Sequence, residues 1–329
     1  MKIDIVVTWV DGSDAYWQNE RNLYVDELMI NNDYRDNGLF KFWFRAIEKN
    51  LPWINKIHLV TMGHIPKFLD TNHPKLSIVK HSDFIPSEYL PTFSANTIEL
   101  NIHRIKGLSP HFLYFNDDVF VLSHLSPTDF FRDDKVVDIG VLAPIMPARY
   151  NSISNLMCNN VGCLNEKYNI KEVIQKNRRN WFSYKYGHYA LLSIIFSFFP
   201  RFIGFYEPHL VPPFKKENFE KVWDLYFEQC HNTCLNKVRN FKTDVNHWLV
   251  RDYQLVTNQF VARRRKFGKY LMLNNEKDVQ NACRIIASQK YPILCLNDHF
   301  NDSIDVDKMS KLLAYSFEEL FYDKSSFEK

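Results

Sequence analysis

Apolar runs and amphipathic stretches alternate along the first 120 or so residues. Ile3 to Val7, Lys56 to Thr61, Lys75 to Lys80 and Phe112 to Phe115 are short, apolar and rich in β-branched or aromatic residues, the pattern of buried strands. Between them lie helical patterns. Tyr16 to Ile30 carries Trp17, Leu23, Leu28 and Met29, Phe40 to Asn50 ends at Leu51-Pro52, and Ser94 to Ile105 places Ile98, Ile102 and Ile105 on one side before Gly107. Gly63 marks a turn. This order predicts an α/β fold with a parallel-rich central sheet and flanking helices.

The middle of the chain changes character. Tyr168 to Tyr189 is basic and aromatic and leads into Ala190-Leu-Leu-Ser-Ile-Ile-Phe-Ser-Phe-Phe199. That run is too short to span a bilayer, which takes ~20 residues. It reads first as a buried helix and second as an interfacial face meeting membrane lipid or a lipid-linked acceptor. Lys216 to Cys230, Trp248 to Arg263 and Met309 to Phe321 are predicted helices, and Pro292 to Asn297 a late strand. Arg263-Arg-Arg-Lys266 reads as a solvated helix end, with a phosphate or anionic-lipid contact as the second reading. The organisation expected is a nucleotide-sugar-binding core over 1–135, a basic, aromatic helical insertion over 136–205, and a 206–329 part completing the site.

Composition narrows the class. At 329 residues, 46% hydrophobic, the chain can bury a large core, and with only 9 glycines it offers no flexible linker. A net charge of +3 is too near neutral for a nucleic-acid partner. No leader precedes the Ile3 strand, and the 6 cysteines are irregularly spaced. The expectation is a cytoplasmic protein with reduced thiols, peripheral at most on the inner face of the cell membrane. Cys230-His231-x-x-Cys234 reads as buried thiols in preference to half a zinc site.

Chemistry concentrates where strands end. Thr8-Trp9-Val10-Asp11-Gly12-Ser13-Asp14 follows the first strand, and Asn116-Asp117-Asp118 follows His111-Phe-Leu-Tyr-Phe115. In open α/β sheets that edge binds ligands, and paired carboxylates there hold a divalent cation against a diphosphate. Asn116, Asp117 and Asp118 are candidate ligands for Mg²⁺ or Mn²⁺, and Asp298 after the late strand would complete that site or hold an acceptor. An Asx turn is the plainer reading of Asp117-Asp118, as a helix N-cap is of Asp14. Glu99 and His103 share a helix face, as a structural pair or a catalytic one, and Arg104 turns away by about 100°.

Together these residues resemble the Stealth family, the hexose-1-phosphate transferases of capsular and cell-wall polysaccharide synthesis, to which the animal enzyme placing GlcNAc-1-phosphate on lysosomal glycans also belongs. The first block is Asp4-Ile-Val-Val-Thr-Trp-Val-Asp-Gly-Ser-Asp14. The second runs from Arg35-Asp36-Asn37-Gly38 through Ala46-Ile-Glu-Lys-Asn-Leu-Pro-Trp53, Leu90-Pro-Thr-Phe93 and His103-Arg104 to Tyr114-Phe-Asn-Asp-Asp-Val-Phe120. Looser matches are His209-Leu-Val-Pro-Pro213 with Arg239, Asp244-Val-Asn246 and Tyr253, and then Cys295-Leu-Asn-Asp298. The chain departs from the pattern at Leu39, Met62, Ser94-Ala95, Lys237 and His299.

The resemblance implies a glycosyltransferase-A-like fold whose largely helical C-terminal part folds back on the site. It also implies a UDP-sugar donor, a lipid-linked or growing glycan acceptor, sugar-1-phosphate transfer and release of UMP. His209 is the expected base, and Arg239 the phosphate clamp, where a guanidinium matches phosphate oxygens in a bidentate way. Asp118, Glu99 and His103 complete the catalytic candidates. Asp11 and Asp14 are expected to serve the nucleotide, with Arg35, Arg45 and Arg104 as further cations. Two alternatives stay open: a glycosyltransferase that moves the sugar alone and releases UDP, and a polysaccharide-binding protein without catalysis. Neither the sugar nor the oligomeric state follows from the chain.

Overall fold

The computed structural model describes residues 1–25, 37–147, 149–300 and 304–329. Its central sheet has the order β3-β2-β1-β4-β8, formed by β1 (Ile3–Thr8), β2 (Ile57–Thr61), β3 (Leu76–Lys80), β4 (His111–Asn116) and β8 (Pro213–Lys215). The first four run parallel and β8 antiparallel. A parallel sheet covered on both faces needs strands that are apolar throughout, and β1 and β2 are buried almost end to end. Among the polar exceptions is Asp4, fully buried in β1. Asn55 Nδ2 and the Ser109 amide donate to it at 2.7 Å each, and His58 lies 3.3 Å away. Burial opposes ionisation, but these donors outweigh it and hold the carboxyl below its ordinary range.

Two smaller sheets extend this one. β10 (Gly268–Leu273), β11 (Ile293–Asp298) and β5 (Val119–Val121) form one, and β6 (Phe131–Arg132), β7 (Lys135–Asp138) and β9 (Phe260–Ala262) the other. β5 follows β4 after the Asp117-Asp118 turn, so that turn bridges the central sheet and the β11 sheet. One large core, from Ile3 to Phe327, joins most of these elements, and a small second cluster holds Ile139, Val141, Tyr186 and Ala262. The α/β, parallel-rich architecture is as expected, and residues from 206 to 299 return to the carboxyl edge of the sheet.

The helices refine the pattern. α1 spans Ala15–Asn22, and the predicted continuation to Ile30 lies largely outside the described residues. α2 (Phe40–Asn50) is as predicted, while α3 (Ala95–Asn101) tightens into a 3₁₀ turn over Ile102–Arg104. α4 (Ile153–Lys167), α5 (Ile170–Lys176), α6 (Arg178–Trp181) and α7 (Tyr189–Phe196) fill the middle of the chain. The helix expected over Lys216 to Cys230 breaks at Tyr226 into α8 (Lys216–Leu225) and α9 (Phe227–Leu235). The one expected over Trp248 to Arg263 is α10 (His247–Val256) followed by β9, because Asn258 takes a left-handed φ of 58°. α11 (Glu276–Ser288) and α12 (Val306–Leu320) close the chain.

Two expectations are overturned here. Ala190 to Phe199 is not a buried helix: in α7 only Ser193 is buried. Arg263 does not cap a solvated helix end. It is buried beneath Phe267, 4.2 Å from the ring centroid, and donates to the Asp129 carbonyl.

Candidate active site

A cleft of about 1100 Å³ opens at the carboxyl ends of the parallel strands. Thr8, Asn116, Asp117 and Asp118 line it from the sheet, and Glu99 from α3. His209, Arg239, His247, Asn297 and Asp298 line it from the returning part. The turn after β4 is therefore where the sequence predicts a site, and its partners from the returning part come from more than 80 residues away.

Asp118 is the most unusual group in the cleft. Its Oδ2 accepts from the Cys295 thiol at 3.4 Å, its carbonyl accepts from the Leu296 amide at 2.9 Å, and its Oδ1 is buried with no hydrogen-bond partner. Burial raises the carboxyl to about 6; the Cys295 bond works against the rise, and the charge of Asp298 adds to it. A buried carboxylate oxygen without a partner, with a second carboxylate close enough to raise its pKa, is costly unless a cation is held nearby. Asp298, at the end of β11, accepts from Asn37 Nδ2 at 3.0 Å.

Opposite lies a pair of imidazoles. His247, at the start of α10, donates from Nδ1 to Glu99 Oε2 at 2.6 Å, and the Tyr114 hydroxyl donates to Glu99 Oε1 at 3.2 Å. Asn246 caps the helix by accepting from the Trp248 amide, which fixes His247 at the cleft wall. His209 has a left-handed φ of 51° and packs edge-on against Tyr270. Its amide donates to Glu207 Oε1 at 3.3 Å, and Arg251, fully buried, holds Glu207 Oε2 at 2.9 Å while bonding Asp138 at 2.8 and 3.1 Å. A buried ion network thus sets the His209 loop. Gly268 lets β10 pass close beneath that loop, since a Cβ there would meet Leu210 at 2.6 Å.

Several expected residues stand elsewhere. His103 does not pair with Glu99: the helix tightens to 3₁₀ after Asn101, the four-residue offset loses its common face, and His103 stacks on Phe219 at 5.6 Å. Burial and the adjacent Arg104 lower its pKa to about 3. Arg104 lies over the Trp223 ring at 4.8 Å and does not line the cleft. Arg45 is buried on α2, where it bonds both oxygens of Glu328 at 2.7 and 2.9 Å. Asp14 is the N-cap of α1, accepting from the Trp17 amide at 2.7 Å. Asp11 accepts from the Ser13 amide and hydroxyl and does not line the cleft either. Arg35 lies outside the described residues. Arg239 does reach the cleft, exposed and beside Phe241, and Arg265 and Lys266 bring further positive charge. The cysteines are free thiols, with Cys230 and Cys234 buried.

Residues 1–29 match the family model described as Stealth protein CR1, conserved region 1, and residues 33–139 match Stealth protein CR2, conserved region 2. The chain is 39% identical over 336 aligned positions to the capsular polysaccharide phosphotransferase WcwK of Streptococcus pneumoniae, covering 100% of this chain and 98% of that one. The chain belongs to the Stealth family. It is also 38% identical to the exopolysaccharide phosphotransferase cps2G of Lactiplantibacillus plantarum, over 99% of this chain and 96% of that one. To the receptor polysaccharide phosphotransferase WefC of Streptococcus gordonii it is 36% identical, over 99% of each chain. A solved galactosyltransferase, LgtC, in complex with donor and acceptor sugar analogs, aligns over 95% of both chains at 10% identity, with a TM-score of 0.37 that carries no argument.

In this Stealth enzyme, no three His, Cys, Asp or Glu side chains among the described residues converge on one point. Mg²⁺ can be held by one or two carboxylates, with water and substrate phosphate oxygens in its remaining positions. Asp118 with its orphaned oxygen, Asp298 and Asn116 are the side chains in the cleft that could supply those oxygens.

Sequence reasoning missed His247, Arg251 and Glu207, and it gave Arg265 and Lys266 a phosphate contact only as a second reading. The only local signal for His247 was its place after a capping asparagine.

Proposed function

We propose that the protein transfers a sugar 1-phosphate from a UDP-sugar to a hydroxyl of a growing or lipid-linked surface polysaccharide, releasing UMP. The observation that carries this reading is the orphaned, raised carboxylate of Asp118 beside Asp298, in a cleft that also holds Glu99, His209 and Arg239. The relatives' names, all phosphotransferases of polysaccharides, support the acceptor class.

The acceptor oxygen bonds to the β-phosphorus as the bond from that phosphorus to the UMP oxygen breaks, and the hydroxyl proton passes to His209. Burial and the nearby His247 hold the His209 imidazole below its ordinary pKa, against the pull of Glu99, so it is neutral and able to accept that proton. Glu99 orients His247 beside it. Arg239, with Arg265 and Lys266, faces the diphosphate and the departing UMP. Asp118, Asp298 and Asn116 would hold Mg²⁺ or Mn²⁺, which when bound neutralises charge on the diphosphate.

A second reading, transfer of the sugar alone with loss of UDP, is favoured by Leu39 and Met62. These depart from the family pattern, and both line the cleft. The nucleotide product decides. Purified protein is incubated with Mn²⁺, a panel of UDP-sugars and a short glycan acceptor. UMP release with a phosphodiester ³¹P signal in the glycan is the expected result. UDP release with no phosphorus in the product would establish the second reading.

A further inference from the structure

α7 is inside out. Its one buried side chain is Ser193, whose Oγ accepts from the Leu142 amide at 3.0 Å. Ala190 and Leu192 pack half-buried against a small apolar cluster, while Leu191 is 59%, Ile194 41% and Ile195 55% exposed, and Phe198 just beyond is 79% exposed. A water-soluble surface rarely gathers apolar side chains this way, and such a patch marks a docking face.

Its surroundings are cationic. Between Val173 and Tyr206 the chain has no Asp or Glu against 5 Lys and Arg. Arg178, Arg179 and Arg201 are exposed. Burial and the nearby Arg132, Arg264 and Arg179 together hold the Lys185 ammonium below its ordinary pKa, which places these cations beside the turn that precedes α7. The helix also borders the cleft: Tyr189, Tyr206 and Arg265 line it, and the Arg265 guanidinium lies 4.4 Å from the Tyr189 ring centroid.

We propose that α7 and the Phe198-Phe199 segment form a docking face for an anionic bilayer surface. The helix would lie in the interface with its apolar side in the acyl boundary and the arginines at the headgroups. The charge selects the occupant, since the rim attracts an anionic surface and repels a second copy of itself. No helix among the described residues is long and apolar enough to cross a membrane, so the contact is peripheral. The cleft mouth would then face the membrane. This goes beyond the proposed reaction and does not rest on it.

The test is co-sedimentation of the whole protein with phosphatidylcholine vesicles and with vesicles containing phosphatidylglycerol, without donor or acceptor. Binding to the anionic vesicles, weakening as salt rises, is expected. Leu191→Ser with Phe198→Ser, and separately Arg178→Gln with Arg179→Gln, should each lower the partition by roughly tenfold or more at unchanged melting temperature. Equal partition into both vesicle types, or into neither, would overturn the proposal. So would a dimer in sedimentation velocity that the Leu191→Ser and Phe198→Ser protein loses, because the face would then belong to a second copy.

Discussion

The imidazole of His209 is the residue on which the proposed chemistry turns, and its environment makes a signed prediction. A base must be unprotonated to work. Burial first, and His247 next, favour the neutral form over the opposing pull of Glu99. The acid limb of kcat/KM should therefore fall below the ~6.5 of an ordinary imidazole. His209→Ala should cost ~10²–10⁴ in rate, whereas His103→Gln, in a histidine packed on Phe219, should lower stability and leave the pH profile in place. An acid limb at or above the ordinary value, or a loss of tenfold or less in His209→Ala, would give His209 a structural role. Asp118, Glu99, His209 and Arg239 were legible because each stands in a motif. His247 was not, because its partner Glu99 is 148 residues away and no local periodicity encodes such a pairing. His103 was misread because helical spacing assumes an α-helix, and the chain tightens to 3₁₀ after Asn101.

At the level of elements, α2 shows how a functional-looking cation can be structural. Phe40, Phe42, Trp43 and Phe44 bury nearly all round the helix, and Arg45 on the same helix reaches the returning C-terminal segment. There it bonds Glu328, whose side chain is 4% exposed, and donates to the Phe321 and Tyr322 carbonyls. Removing the guanidinium leaves a buried, unpaired carboxylate. Arg45→Ala should therefore destabilise the fold by about 3–5 kcal/mol in urea unfolding, with the KM for donor unchanged at permissive temperature. A raised KM with stability intact would return Arg45 to the nucleotide. Strands β1 to β4 of the central sheet and α2 were legible because burial on both faces writes an apolar run into the sequence, whereas the three-residue β8 after the prolines was not. α4 and α11 were not. α4 carries Asn159 and Asn160, poor helix formers whose amides bond the 241–246 segment, so tertiary contacts set its structure over local propensity.

Across the whole molecule, the cleft is assembled from parts that meet only on folding: the β4 turn, the end of β11, the His209 loop and the start of α10. Their common cost is the Asp118 carboxyl, which burial and Asp298 raise to about 6 against the ordinary 3.8. The sign follows from linkage. A carboxyl whose folded pKa lies above its unfolded value favours folding while protonated, and that contribution is lost as pH rises through the window between the two values. At neutral pH the ionised group therefore destabilises the metal-free protein, and Asp118→Asn should raise its melting temperature while abolishing turnover. Mn²⁺ and UDP should act cooperatively, because each supplies what the other lacks, a counter-charge for Asp118 and Asp298 and oxygens to complete the ion's coordination. In thermal denaturation at neutral pH, the shift with both present should exceed the sum of the separate shifts, and in Asp118→Asn the excess should vanish. Additive shifts in the wild type, or an Asn variant that keeps the excess, would mean that the carboxylates at the sheet edge do not hold the ion against the diphosphate.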